Sequence, residues 1–152
     1  MKNRLLFLNL IFILALAASC GREVKEDIAV KERIGEIAEK VLVGSTAIPF
    51  SLDSLTSYTW EEVYIITPYT QIDRVKHITR ADLSTIEETG IEYDDGKKVI
   101  AFINNGKLTS YVDLPRGSGD FAYLQDSILL YPFGSAEFRM VNKNGRAVVE
   151  KN

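Results

Sequence analysis

The chain holds one cysteine and one histidine among its 152 residues, and that scarcity excludes several chemistries. With Cys20 alone there is no intramolecular disulfide. One cysteine and His77 fall short of the tetrahedral ligand set that zinc uses. A Ser–His–acid triad has to use His77, and no G-x-S-x-G elbow accompanies it. Gly117-Ser118-Gly119 lacks the lysine and the strand-to-helix setting of a phosphate loop. Asp94-Asp95-Gly96 lacks the later acidic positions of a calcium loop and reads as a turn before a strand. Neither metal nor cofactor is expected. Repeats and low-complexity tracts are also absent. Glu61 and Glu62 are adjacent, so on a strand they face opposite sides and do not flank one bond. Pairs across the fold, such as Glu62 with Asp113 or Asp120, leave a carboxylate-dependent hydrolase as an alternative, which needs acids roughly 5–9.5 Å apart.

The long apolar run is confined to the N-terminus. Lys2 and Arg4 precede a stretch from Leu5 to Ala18 that is apolar apart from Asn9, and Ala17, Ala18 and Ser19 lead to Cys20. That order is the pattern of a secretory signal peptide, with an apolar core short of the roughly 20 residues of a spanning helix. Leu16-Ala17-Ala18-Ser19-Cys20 resembles the bacterial lipobox, with Leu16 one place earlier than usual. In that family the thiol receives a diacylglycerol and becomes the new N-terminus. The expected organisation is a signal peptide over 1–19, a lipidated tether over 20–25 and one domain over 26–152. The membrane is then the first partner, reached through Cys20. Gly21 is not the Asp that retains enterobacterial lipoproteins at the inner membrane, so the resemblance favours an outer membrane where one exists.

Cleavage before Cys20 removes Lys2 and Arg4 and moves the formal charge from −3 to −5. An acidic body argues against nucleic acid, whose phosphates call for clustered Lys and Arg. A helix is expected over 26–43, because Val30, Ile34, Ile37, Ala38, Val41 and Leu42 fall on one face. A short strand over 47–52 is pushed toward a sheet edge by Pro49, and the Ser/Thr-rich residues 51–59 read as loop. The stretch Tyr58–Val75 carries Trp60, an apolar strand expected over 60–67, the stop Pro68-Tyr69, and Thr70 as the cap of a helix. Counting by twos puts Trp60, Glu62 and Tyr64 on one face of that strand. Asn105-Gly106 and Asn144-Gly145, each between β-rich runs, predict two hairpins. The expected fold is a single α+β domain. It has a mainly antiparallel sheet of five to seven strands, an N-terminal amphipathic helix, and one or two short helices on one face.

Trp60 with Tyr64, Pro68-Tyr69-Thr70, Gly90-Ile91-Glu92, Asp95-Gly96, Phe102, Pro115-Arg116 and Gly119-Asp120-Phe121 form a recognisable set. Together, over residues 50–121, they are similar to a group of small secreted or lipid-anchored bacterial proteins of uncharacterised function. The resemblance implies an extracytoplasmic α+β module and no particular activity. Arg116 and Asp120 sit in a Gly-containing loop after a strand, where binding residues concentrate. Either Arg116 grips an anionic ligand, or the pair bonds to itself and closes the turn, which is the simpler expectation. The aromatics Tyr58, Trp60, Tyr64 and Tyr69 offer a stacking platform or, more simply, core. Candidate contact residues are therefore Arg116, Asp120, Trp60 and Tyr69. The expected function is a non-enzymatic binding or accessory module of the cell envelope, meeting an envelope protein. An inhibitor or immunity-type protein is the alternative in the same place.

Overall fold

The computed structural model describes residues 24–44, 46–121 and 127–152, and most of the apolar face of the first helix is buried in it, with Ile37 partly covered and Leu42 exposed. This helix, α1, runs Ile28–Gly44 and covers Val30, Ile34, Ala38 and Val41. Spacings of three and four return these side chains to one side of a 3.6-residue turn. Asp27 lies just ahead, and its carboxylate accepts a hydrogen bond from the Val30 N–H at 2.9 Å. That cap starts the helix two residues later than the apolar pattern alone indicates.

Seven strands follow: β1 (Ile48–Ser51), β2 (Glu62–Ile66), β3 (Lys97–Asn104), β4 (Lys107–Pro115), β5 (Ile128–Pro132), β6 (Glu137–Lys143) and β7 (Arg146–Lys151). Both Asn-Gly turns carry positive φ at both residues, 50° and 67° at Asn105-Gly106 and 55° and 78° at Asn144-Gly145. That is the requirement of the hairpin turns they close. The strands divide into two antiparallel sheets, ordered β4-β3-β2-β5 and β1-β6-β7. The division falls at the corner after β5. Pro132 ends that strand and Gly134, at φ 82°, turns the chain toward the second sheet. Pro49 lies on β1, an outer strand, as its missing N–H requires.

The four-stranded sheet is the middle layer. Val63, Ile65, Ile100, Phe102, Val112 and Leu114 point from it toward α1 and the three-stranded sheet. Tyr64, Ile66, Val99, Ala101 and Ile103 point the other way, onto Ile72 and Val75 of α3 (Ile72–Thr79) and Ile86 of α4 (Ser84–Glu87). Helices thus lie on both faces of the sheet, with α1 on one side and the short pair on the other. The Ser/Thr-rich segment expected as loop contains one helical turn, α2 (Leu52–Leu55), whose Asp53 N–H donates to the Ser51 hydroxyl at 3.2 Å.

Two expectations for the central stretch change. Trp60 precedes β2, which begins at Glu62, so the two-residue alternation does not extend back to it. It packs with Val63 and Ile65, on the face opposite Tyr64. Thr70 does not cap α3: the cap position is Gln71, with no side-chain bond of its own. The Ile72 N–H donates instead to the Glu92 carboxylate at 2.6 Å, while the Thr70 hydroxyl donates to the Ser127 carbonyl at 3.1 Å. A carboxylate from twenty residues away outcompetes a local hydroxyl because it brings a full charge to the positive end of the helix.

Candidate functional site

Where β4 ends, Arg116–Ser118 forms one 3-10 turn and Gly119 takes φ 154°. A Cβ on Gly119 would lie 3.2 Å from Met140 Cε and 3.4 Å from Ile34 Cγ2, so the loop passes close between α1 and β6. The backbone there favours glycine, and any side chain would also push on Met140. Asp120 then pairs with β7: its N–H donates to the Ala147 carbonyl and its carbonyl accepts from the Val149 N–H, each at 2.8 Å. At the other end of the loop the Arg116 N–H donates to the Gly96 carbonyl at 2.8 Å. Phe121 is fully buried and completes the anchorage.

This backbone frame carries a charged cluster. Arg116 Nε donates to Asp120 Oδ2 at 2.9 Å, as the loop-closing reading expects. Asp120 is buried while the Arg116 side chain is about half exposed, 6% against 47%. Lys98, buried on the same face of β3 as Ile100 and Phe102, places its Nζ 4.0 Å from Asp120 Oδ1. Burial lowers the Lys98 pKa below the ordinary lysine value; Asp120 opposes the shift and Arg116 adds to it. The hydrogen bond to Asp120 raises Arg116 further above its own high value.

Beside the cluster lies a cavity of about 340 Å³, reached by Arg116, Asp120 and Arg146. Leu42 and Ala147 give it an apolar side, and Gly117 and Gly145 leave its wall free of side chains. Arg146, exposed at the start of β7, makes no ion pair or side-chain hydrogen bond among the described residues. The arrangement can hold an anion by planar, bidentate contacts.

The other candidates separate. Trp60 is 2% exposed, its indole N–H donates to Thr56 Oγ1 at 2.9 Å, and its ring lies 5.5 Å from Phe102 and 5.0 Å from Phe133. It is a core residue and offers no surface to a ligand. Tyr69 is 64% exposed and holds φ 61°, its N–H donating to the Ile91 carbonyl at 3.0 Å. Register puts Tyr69 and Arg116 at the same end of the middle sheet, where Ile66 pairs Val99 and Lys97 pairs Pro115. The Ile91 contact ties Tyr69 to the α3–α4 layer, whereas Lys98 and Asp120 lie toward α1, so the two do not form one site. Cys20 lies outside the described residues.

His77 is exposed on α3. Asp94 Oδ1 accepts from the Gly96 N–H at 2.7 Å, the turn expected in place of a calcium loop. No group of three or more metal-ligating side chains forms among the described residues. Glu62 accepts the Tyr64 hydroxyl at 2.9 Å, and Asp113 accepts from Lys97 at 2.9 Å. Glu62 pairs Ile103, whereas Asp113 pairs Val99 on the far strand. Four residues along and two strands across is roughly 16 Å, too far to flank one bond.

A second hollow, about 540 Å³ and shallow, lies between the start of α1 and β4, beside Asp27, Tyr58 and Ser110. The Tyr58 hydroxyl is buried there with no hydrogen-bond partner among the described residues, and burial raises its pKa. Asp27 and Ser110, which line the same hollow, are engaged elsewhere, Asp27 in capping α1 and Ser110 in donating to the Lys25 carbonyl.

Lys98 and Arg146 did not stand out in the sequence. Lys98 had a signal, since it shares strand parity with Ile100 and Phe102 and therefore had to face the core. Arg146 had none, because its place beside Arg116 comes from the pairing of Asp120 with Val148. No protein-family model, curated protein or solved structure matches the chain. Among the described residues no helix is long and apolar enough to cross a membrane.

Proposed function

We propose that this chain is a lipid-anchored, non-enzymatic binding module on the outer side of a bacterial membrane. The observation that carries the reading is the run Leu16–Cys20, in which small residues end at the sole cysteine shortly before the folded body begins. Each buried methylene contributes about 0.8 kcal/mol and one acyl chain holds only marginally, so the two chains of a diacylglyceryl cysteine suit stable attachment. Gly21 directs such a chain to the outer membrane where there is one. The first helix begins at Ile28, eight residues after Cys20, so the anchored end and the body are close in sequence. The charge of the processed chain, −5 once Lys2 and Arg4 are removed from the −3 total, speaks for a protein or wall partner over nucleic acid. The Arg116–Asp120 cavity supplies the module with a polar, partly open recess.

Fractionation and lipid labelling test the anchor. The native chain should incorporate labelled palmitate and sediment with membranes. Cys20→Ser should stay unprocessed or be released. A Cys20→Ser chain that is still cleaved and still membrane-bound overturns the anchor. Cross-linking in intact membranes tests the module: a chain that captures no partner is not a binding module.

A further inference from the structure

The cavity beside Asp120 is positive on a negative protein. Arg116 and Arg146 line it with Asp120, Lys98 lies behind Asp120, and Asp95 acts on Arg116 from nearby. Among the described residues Arg146 has no ion-pair partner, so a cation is open to an anionic ligand. Arg116 is also fixed in its plane by Asp120, so part of the ordering needed to grip a ligand is already done.

Gly117 adds an independent observation. A Cβ there would meet nothing within 4 Å, so the fold does not need glycine at that position, and a substituent would stand in open space. The bare wall is therefore available to an occupant. At about 340 Å³ the cavity sits near the lower end of ligand pockets, roughly 300–1,000 Å³. That suits one or two small residues. Leu42 lies fourteen residues after Ile28, about 21 Å along α1 from the tethered end, which favours a peptide over a headgroup of the anchoring bilayer.

We propose that this cavity binds the terminal carboxylate of a short peptide, with Arg116 and Arg146 on the carboxylate and Leu42 and Ala147 against a small apolar last side chain. The assignment rests on the binding-module reading and names its ligand.

The full chain in detergent micelles is titrated with N-acetyl-Ala-Ala, with the C-terminal amide of the same dipeptide, and with inorganic phosphate. The amide signals of Gly117 and Gly145 are followed by NMR. The acid should bind saturably, and the amide about tenfold or more weaker, the worth of one charge-assisted contact. Arg146→Ala should also lose about tenfold, with Arg146→Lys recovering part of it. Gly117→Val should block binding while the rest of the spectrum stays native. Arg116 and Asp120 are left intact because they also hold the loop. No saturable binding of the acid, or equal binding of acid, amide and phosphate, overturns the proposal. A cross-linked partner that persists in that case leaves the module reading standing without this ligand.

Discussion

At one end of the middle sheet, just before β2 begins, Trp60 packs on Phe102 and Phe133, and Tyr58 meets Phe102 edge-on at 5.7 Å. At the other end, where β3 begins, Lys98 and Asp120 are buried and Arg116 closes over them half exposed. The first end is filled with large rings, the Trp60 indole N–H bonded to Thr56 and the Tyr58 hydroxyl buried with no partner among the described residues. The second buries charges, and the desolvation cost of a buried ion pair can exceed its mutual attraction. A packed aromatic end stabilises; a charged end costs stability and persists where it has another use. The two ends of one sheet thus differ in what they bury, rings at one and charges at the other.

The largest expected effect lies at the aromatic end. Trp60→Ala removes a fully packed indole and should cost about 3–5 kcal/mol, read by urea unfolding. Trp60→Phe keeps most of the contact and should cost clearly less. A Trp60→Ala protein within about 1 kcal/mol of the native chain means the two ends do not differ as described.

Local rules made much of this fold readable. Asn-Gly turns impose their own backbone, so both hairpins were visible, and the face of α1 repeats often enough to be unmistakable. Pro49 marked an outer strand for the same kind of reason. The split into two sheets was not visible, because β1 finds its partner some ninety residues later, Ile48 opposite Met140. The side taken by Trp60 was misread because strand parity holds only inside a strand. Within the candidate site, Arg116 and Asp120 are four residues apart and were legible as a pair. Lys98 and Arg146 join them only through long-range pairing, which no window of sequence contains.

The charged end comes next in size. Asp120→Ala leaves Lys98 buried without its counter-charge and should cost about 3 kcal/mol. Lys98→Met removes the buried charge and should be neutral or stabilising near pH 7, since Arg116 still holds Asp120. The sign with pH follows from the lowered Lys98 pKa. Below its folded pKa the penalty is complete, and it fades as pH rises toward the unfolded value near about 10.4. The native chain should therefore gain on Lys98→Met as pH climbs through that window. Tyr64, at the aromatic end beside Glu62, has the opposite sign, because burial first and then Glu62 push it up to about 12. Its contribution is whole below about pH 10 and is lost as pH rises through the folded value. A gap between the native chain and Lys98→Met that stays flat from neutral pH upward overturns the account of the charged end.

The smallest effect separates the two ends at the turn that follows β2. Glu92, from the segment after α4, caps α3 through the Ile72 N–H, while Thr70 ties the turn to Ser127 ahead of β5. Glu92→Ala should cost about 1 kcal/mol, the usual worth of a cap, and Glu92→Gln less, because the amide still accepts but brings no charge. Thr70→Ala should cost a similar amount for a different reason, the loss of one hydrogen bond near the sheet edge. Hydrogen exchange distinguishes them. Glu92→Ala should expose the first turn of α3 and leave β5 protected, whereas Thr70→Ala should loosen the start of β5 and leave α3 unchanged. If Thr70→Ala instead frayed α3, the local hydroxyl would be the cap after all, and α3 would be held by its own sequence without the Glu92 tie.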